Sequence, residues 1–112
     1  MPESRRAQIA RDLYRAFAAG DRDGAERCLA DGFTFSSPVD PVLDRAGYFT
    51  RCWPGAGHGK PYEIVRLIEA GDEVIVTYEL GEGAGPRGRN TEVLTFSGDQ
   101  VVRAEVYFGW EP

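Results

Sequence analysis

Glu92 is the residue whose type and position most invite chemistry. It stands in the run TEVLTF at 91–96. Strand alternation puts Glu92 on one face with Leu94 and Phe96, and Thr91, Val93 and Thr95 on the other. If Leu94 and Phe96 face a core, a carboxylate points there too. An ionised carboxylate is costly to bury unpaired. It must meet a cation, accept several hydrogen bonds, or keep its proton as its pKa rises. The first outcome is structural, with Arg66 or Arg89 as the partner, or with Glu92 solvated at the strand's open end. The last is the behaviour of an acid that polarises or protonates a carbonyl.

Three further residues have the right chemistry. Asp40 lies in SPVDPVLD. It reads as a general base at a pocket rim, or as a turn residue placed there for backbone reasons. Tyr14 offers a phenolic proton. His58 is the only histidine and sits in GAGHGK. It reads as a surface loop residue or as a lid over a pocket. One histidine without clustered partners makes no metal site. Cys28 and Cys52 form no CxxC pair, and read as reduced, partly buried thiols rather than as a disulfide or metal ligands. The Gly-rich GEGAG precedes a proline and a strand, not a helix N-terminus, so it lacks the context of a phosphate loop.

The elements that must position these groups change period halfway along the chain. SRRAQIARDLYRAFAA (4–19) repeats apolar residues at Ile9, Leu13, Ala16 and Phe17, which predicts a helix capped by Ser4 and stopped at Gly20. Asp21 caps a second short helix with Ala25, Cys28 and Leu29 inward and Gly32 at its end. Phe33 to Ser37 alternate as a strand, and Pro38 and Pro41 then interrupt regular structure. Asp44 is an N-cap for a third helix, RAGYFTRCW, with Tyr48, Phe49 and Trp53 on its buried side. Segments near 62–69, 73–80, 91–97 and 101–110 read as strands, turning at Gly71-Asp72 and Gly98-Asp99. Short connections make them largely antiparallel. Val74, Val76, Tyr78 and Leu80 are expected to face the helices, as are Val102, Ala104, Val106 and Phe108.

Helices first and strands after define an α+β fold. The 112 residues suit one domain, with 42% apolar and 12% aromatic residues to fill a core and still line a cavity. Phe17, Tyr48, Trp53, Tyr62, Tyr78 and Phe108, with Tyr14, are the expected walls, suited to a flat or hydrophobic small molecule. The formal net charge is −5, and the arginines at 5, 6, 11 and 15 are interspersed along one helix with acids. That excludes nucleic acid as a first expectation. No apolar run spans a bilayer and no basic-then-apolar leader opens the chain, so no membrane is expected and a cytoplasmic location follows by default.

The run YRAFAAGDRDGAERCLADGFTFSSPVDPVLDRAGYF, with the ending VVRAEVYFGW, resembles SnoaL-like and ketosteroid-isomerase-like proteins of the nuclear transport factor 2-like superfamily. The likeness lies in the order of weak motifs: helix, AGD, second helix, acidic turn, strand, proline loop and an Arg-x-Gly helix start. It covers nearly the whole chain. FTFSSP, DRAGYFTRCWP, RNTEVLTF and EVYFGW look closest to an uncharacterised bacterial subgroup. The resemblance implies a cone-shaped half-barrel, a curved antiparallel sheet wrapped on about three N-terminal helices. It also implies a pocket at the mouth and a homodimer through the convex sheet face.

For the subgroup, the resemblance implies no established activity. For the superfamily it implies cofactor-free isomerases, cyclases or lyases, and also proteins without catalysis. The isomerases' catalytic tyrosine falls on Leu13. Tyr14 is one position, or about 100°, away on the helix, and is expected to point elsewhere. Their base falls on Ser37, three residues before Asp40. Only the oxyanion-stabilising acid has a chemical counterpart, Glu92. The Arg and paired Asp of the epoxide hydrolases find no match. Two readings stay open: an acid–base enzyme using Glu92 with Asp40 or Tyr14, and a non-enzymatic binding or dimerisation module. A protein-docking face near Tyr107 and Trp110 is a third.

Overall fold

The computed structural model describes residues 4–57, 62–79 and 88–109. Helix α1 spans Arg5–Ala19. Ser4 accepts the Ala7 N–H at its start. Gly20 ends it at φ 73°, in the left-handed region that only glycine enters freely. Helix α2 (Arg22–Cys28) is capped by Asp21, and α3 (Arg45–Arg51) by Asp44, each accepting an amide N–H three residues on. A 3-10 turn, Trp53–Gly55, follows α3.

The strands are β1 (Leu29–Ser37), β2 (Asp40–Asp44), β3 (Glu63–Ala70), β4 (Glu73–Glu79), β5 (Arg89–Ser97) and β6 (Gln100–Phe108). They form one sheet in the order β2-β1-β6-β5-β4-β3. Every pairing is antiparallel except β1 with β6, which is parallel, so the sheet is mixed. The exception has a simple cause. β1 and β6 are joined by most of the chain and not by a hairpin, and a long connection permits parallel pairing. Irregular register in β1–β2, β1–β6, β3–β4 and β5–β6 bends the strands. The result is a curved α+β half-barrel, open along its edges β2 and β3.

The concave face holds the core. Leu29, Phe33, Val74, Val76, Leu94 and Val101 are fully enclosed, with Ala10 and Leu13 of α1 packed onto them. The narrow end is tied to α1 by charge. Arg6 hydrogen-bonds Asp72 and the Gly98 carbonyl, and lies over the Phe96 ring. Arg5 pairs with Asp99, and Ser4 donates to Glu69. Both hairpin turns thus meet the start of one helix.

Four expectations are corrected. Gly32 does not end α2; the chain enters β1 at Leu29, and Gly32 lies inside that strand. There β1 advances five residues (29 to 34) while β6 advances two (101 to 103), so the strand bulges around it. Pro41 does not break the chain but lies within β2, an edge strand that can spare its missing N–H. Val102 does not face the helices; Val101 does, fully buried. Between Thr95 and Phe96 the partner strand advances from Arg103 to Val101, leaving Val102 as the extra residue. Phe108 is on the concave side but 54% exposed, because β6 ends there. Leu80 lies outside the described residues.

Among the described residues, no helix is long and apolar enough to cross a membrane.

Candidate functional site

β5 carries Glu92 inward, as parity requires, and its neighbours there are Val76 on β4 and Val106 on β6. The residue is buried, only 8% exposed. No cation pairs with it among the described residues; Arg89 instead pairs with Glu79 at 2.7 Å. Arg66 stands opposite Thr77, on the outer face. The Tyr78 hydroxyl donates to Glu92 Oε1 at 3.2 Å. Burial pushes the Glu92 carboxyl up to about 7, although hydrogen bonding from Tyr78 and the nearby Tyr14 hydroxyl pulls the other way.

Tyr14 overturns an expectation. One helical step from Leu13 does not carry it away from the site. It is buried, with its ring 5.3 Å from Tyr62 and 5.4 Å from Tyr78. The reason is that α1 lies across a concave surface, which covers a wide arc of the helix; Leu13 and Tyr14 both line the cavity. The Tyr14 hydroxyl faces Glu92 closely enough to favour its ionised form, yet among the described residues it completes no hydrogen bond of full geometry and is shielded from solvent. A buried, unpartnered hydroxyl is uncommon and costs stability. Burial, and then the Glu92 charge, raise the Tyr14 pKa well above 10. Burial likewise raises Tyr48, Tyr62 and Tyr78, so all four phenols stay protonated donors.

A short relay orients this group. Asn90 Oδ1 accepts the Gly109 N–H at 3.2 Å, which leaves the amide side chain to hydrogen-bond the Tyr78 oxygen. Tyr78 then donates to Glu92. Gly109 is required for the approach, since a Cβ there would lie 2.0 Å from the Arg89 carbonyl oxygen.

Glu92, Tyr14 and Tyr78 line a cavity of about 210 Å³ between α1, α3 and the sheet. Phe17, Tyr48, Tyr62 and Phe108 line it, together with Phe35, Val106 and Cys52. Burial pushes the Cys52 thiol up to about 11, which favours the protonated thiol at neutral pH. Trp53 does not line the cavity; it backs the wall, 5.4 Å from both Phe17 and Phe49. His58 and Trp110 lie outside the described residues.

Asp40 does reach the rim, together with Ser37. Ser37 Oγ donates to Asp40 Oδ2 at 2.9 Å, and Arg51 Nε pairs with Oδ1. The Arg51 hydrogen bond holds the Asp40 carboxyl below the usual carboxylate range, with Ser37 assisting against a modest burial penalty. Two carboxyl groups in one cavity are therefore driven apart, one toward the neutral acid and one toward the anion.

A larger groove, of about 480 Å³, runs on the other side of Tyr14 and Tyr62 between α1 and β3. It is lined by Arg11, Arg15, Ala18 and Ile64, and among the described residues no carboxyl group borders it. Among the described residues, no cluster of His, Cys, Asp and Glu could hold a metal ion.

Sequence reasoning missed Asn90 and Arg51. Asn90 was within reach, since it shares parity with Glu92. The Arg51–Asp40 pair joins a helix to a loop-flanked edge strand, and no periodicity encodes that.

A curved half-barrel closed over helices, with a polar-ended cavity at its wide mouth, defines a nuclear transport factor 2-like protein. The chain belongs to the SnoaL-like domain family, whose model matches residues 10–104. Solved structures share the fold. An NTF-2 like protein of unknown function from Burkholderia xenovorans LB400 is 20% identical, with a TM-score of 0.80, covering 96% of this chain and 84% of that one. An NTF2-like protein of unknown function from Cytophaga hutchinsonii ATCC 33406 is 15% identical, with a TM-score of 0.76 over 97% and 93%. An LEH-like epoxide hydrolase from M. tuberculosis is 15% identical, with a TM-score of 0.75 over 96% and 86%. No curated protein matches the chain.

Proposed function

We propose that this protein binds a small, largely hydrophobic molecule through a carbonyl or enol oxygen, with Glu92 and Tyr14 as the hydrogen-bond donors. One observation carries this reading: among the described residues, a buried carboxyl without a cation lies beside a buried hydroxyl that completes no full hydrogen bond, and both border a cavity. Below a pH of about 7 Glu92 keeps its proton. A ligand oxygen between the two groups completes both hydrogen bonds. If turnover follows, it is cofactor-free acid–base chemistry of the isomerase, cyclase or lyase kind. Glu92 then gives its proton to the ligand oxygen while Asp40, kept ionised by Arg51, takes one from carbon.

A ligand-shift melting screen of flat, hydrophobic ketones tests the reading, with wild type and Glu92→Gln side by side. Stabilisation of the wild type that weakens in the variant is expected. A protein that no ketone stabilises, with the variant behaving identically, is instead a non-enzymatic module.

The same family membership supports a homodimer through the outer sheet face, where Ile68 is 51% and Tyr107 54% exposed. Sedimentation at high concentration checks it; a strict monomer contradicts it.

A further inference from the structure

We propose that the cavity takes a single-ring ligand with two polar ends, an oxygen acceptor at Glu92 and Tyr14 and a hydrogen-bond donor at Asp40. The inference rests on the binding role given to Glu92 above and adds the size and polarity of its ligand.

Size comes first. The cavity of about 210 Å³ is smaller than the roughly 300–1,000 Å³ of sites that hold drug-sized molecules. One ring with short substituents fits such a space, and a four-ring skeleton does not.

Polarity comes second, and the sheet register supplies it. Glu92 pairs with Val106 on β6. Ser36–Glu105 is the last pair of the parallel β1–β6 ladder, and Ser37 and Val106 are the next residues on the two strands. Ser37 pairs with Asp40 on β2. One transverse row therefore runs Glu92, Val106, Ser37, Asp40, and all four line the cavity. It begins and ends in a carboxyl group, with Val106 and the Asp40-bound Ser37 between. Three strand spacings of about 4.8 Å make roughly 14 Å along the curved sheet. The reach of two side chains and two hydrogen bonds of about 2.8 Å consumes much of that, leaving room for one ring.

The two ends ask for opposite partners. Tyr14 and protonated Glu92 are donors, so they take an acceptor. Asp40 is an acceptor already used once on each oxygen, by Arg51 and by Ser37. An ionised carboxylate has about four acceptor sites, so two remain for the ligand. Because Arg51 already balances the Asp40 charge, a neutral hydroxyl or amino N–H suits that end better than a cation.

Calorimetric titration of the whole chain with three probes tests this: 4-hydroxyacetophenone, acetophenone and androstenedione. 4-Hydroxyacetophenone is expected to bind about tenfold more tightly than acetophenone, as a hydrogen bond to a charged acceptor gives. Asp40→Ala is expected to bring the two within about twofold of each other, on the same scale. Androstenedione is expected to show no saturation. Equal affinity of the two single-ring ketones for the wild type overturns the proposal without recourse to any variant, and so does tight binding of androstenedione. Glu92→Gln separates the two levels. If it weakens both single-ring ketones while the hydroxyl makes no difference, only the two-ended ligand is wrong. If neither ketone binds the wild type, the binding role of Glu92 fails and this inference fails with it.

Discussion

The two ends of the sheet handle charge in opposite ways. At the narrow end, Arg5 and Arg6 meet Asp99 and Asp72, and most of these groups stay wet: the Arg5 side chain is 75% exposed and Asp72 75%. At the wide end, one carboxyl is buried with phenols and, among the described residues, no cation. Wet ion pairs cost little to form and contribute little. A dry, unpaired acid costs stability in every molecule that folds. The narrow end therefore reads as closure, and the wide end as a site whose arrangement makes sense through what it binds.

The largest effect is expected from Glu92→Gln. The folded pKa of Glu92 is raised from 4.5 to about 7. The unfolded chain thus releases this proton at lower pH than the native state does. The Glu92 contribution to stability is greatest below pH 4.5, falls as pH rises toward 7, and is level above that. The fall amounts to about 3 kcal/mol. Urea unfolding of Glu92→Gln across this range should lose that slope and leave the variant more stable than wild type at pH 8. An unchanged slope means that Glu92 is not the buried acid described above.

Tyr78→Phe removes the hydrogen bond made to Glu92. It should cost about 2 kcal/mol above pH 7, where the acceptor is charged, and less at pH 5. Tyr14→Phe is the sharper contrast, since among the described residues its hydroxyl completes no full hydrogen bond. Stability should hold or rise by about 1 kcal/mol, while ketone affinity falls. A loss of stability there indicates that the hydroxyl belongs to the packing and not to the ligand.

At the narrow end Arg6→Ala should cost about 1 kcal/mol, through lost hydrogen bonds and lost contact with Phe96. Arg5→Ala should cost only a few tenths, and nothing in high salt. Equal and large losses at both positions contradict the reading of that end as mere closure.

Much of this fold is legible in single residues. Ser4, Asp21 and Asp44 announce helix starts through side-chain oxygens, and Gly71 and Gly98 announce turns at φ 60°. Period-two alternation puts Glu92 inward beside Leu94. Parity fails where a bulge adds a residue, as at Val102, because the extra residue depends on the partner strand. The helix stop read at Gly32 fails because the chain has already entered β1 at Leu29, whose bulge against β6 is likewise set by the partner strand.

Local chemistry in the chain settles where helices start, where hairpins turn, and that one acid points into a core. Those signals act between residues a few positions apart. Whether that acid meets a cation, a phenol or a cavity depends on groups far apart in the chain. Tyr14, Tyr78, Asn90 and Glu92 come together because a curved sheet folds around α1, and Arg51 reaches Asp40 because α3 packs beside β2. The curvature comes from bulges agreed between strands, so the pocket exists only once the strands have paired.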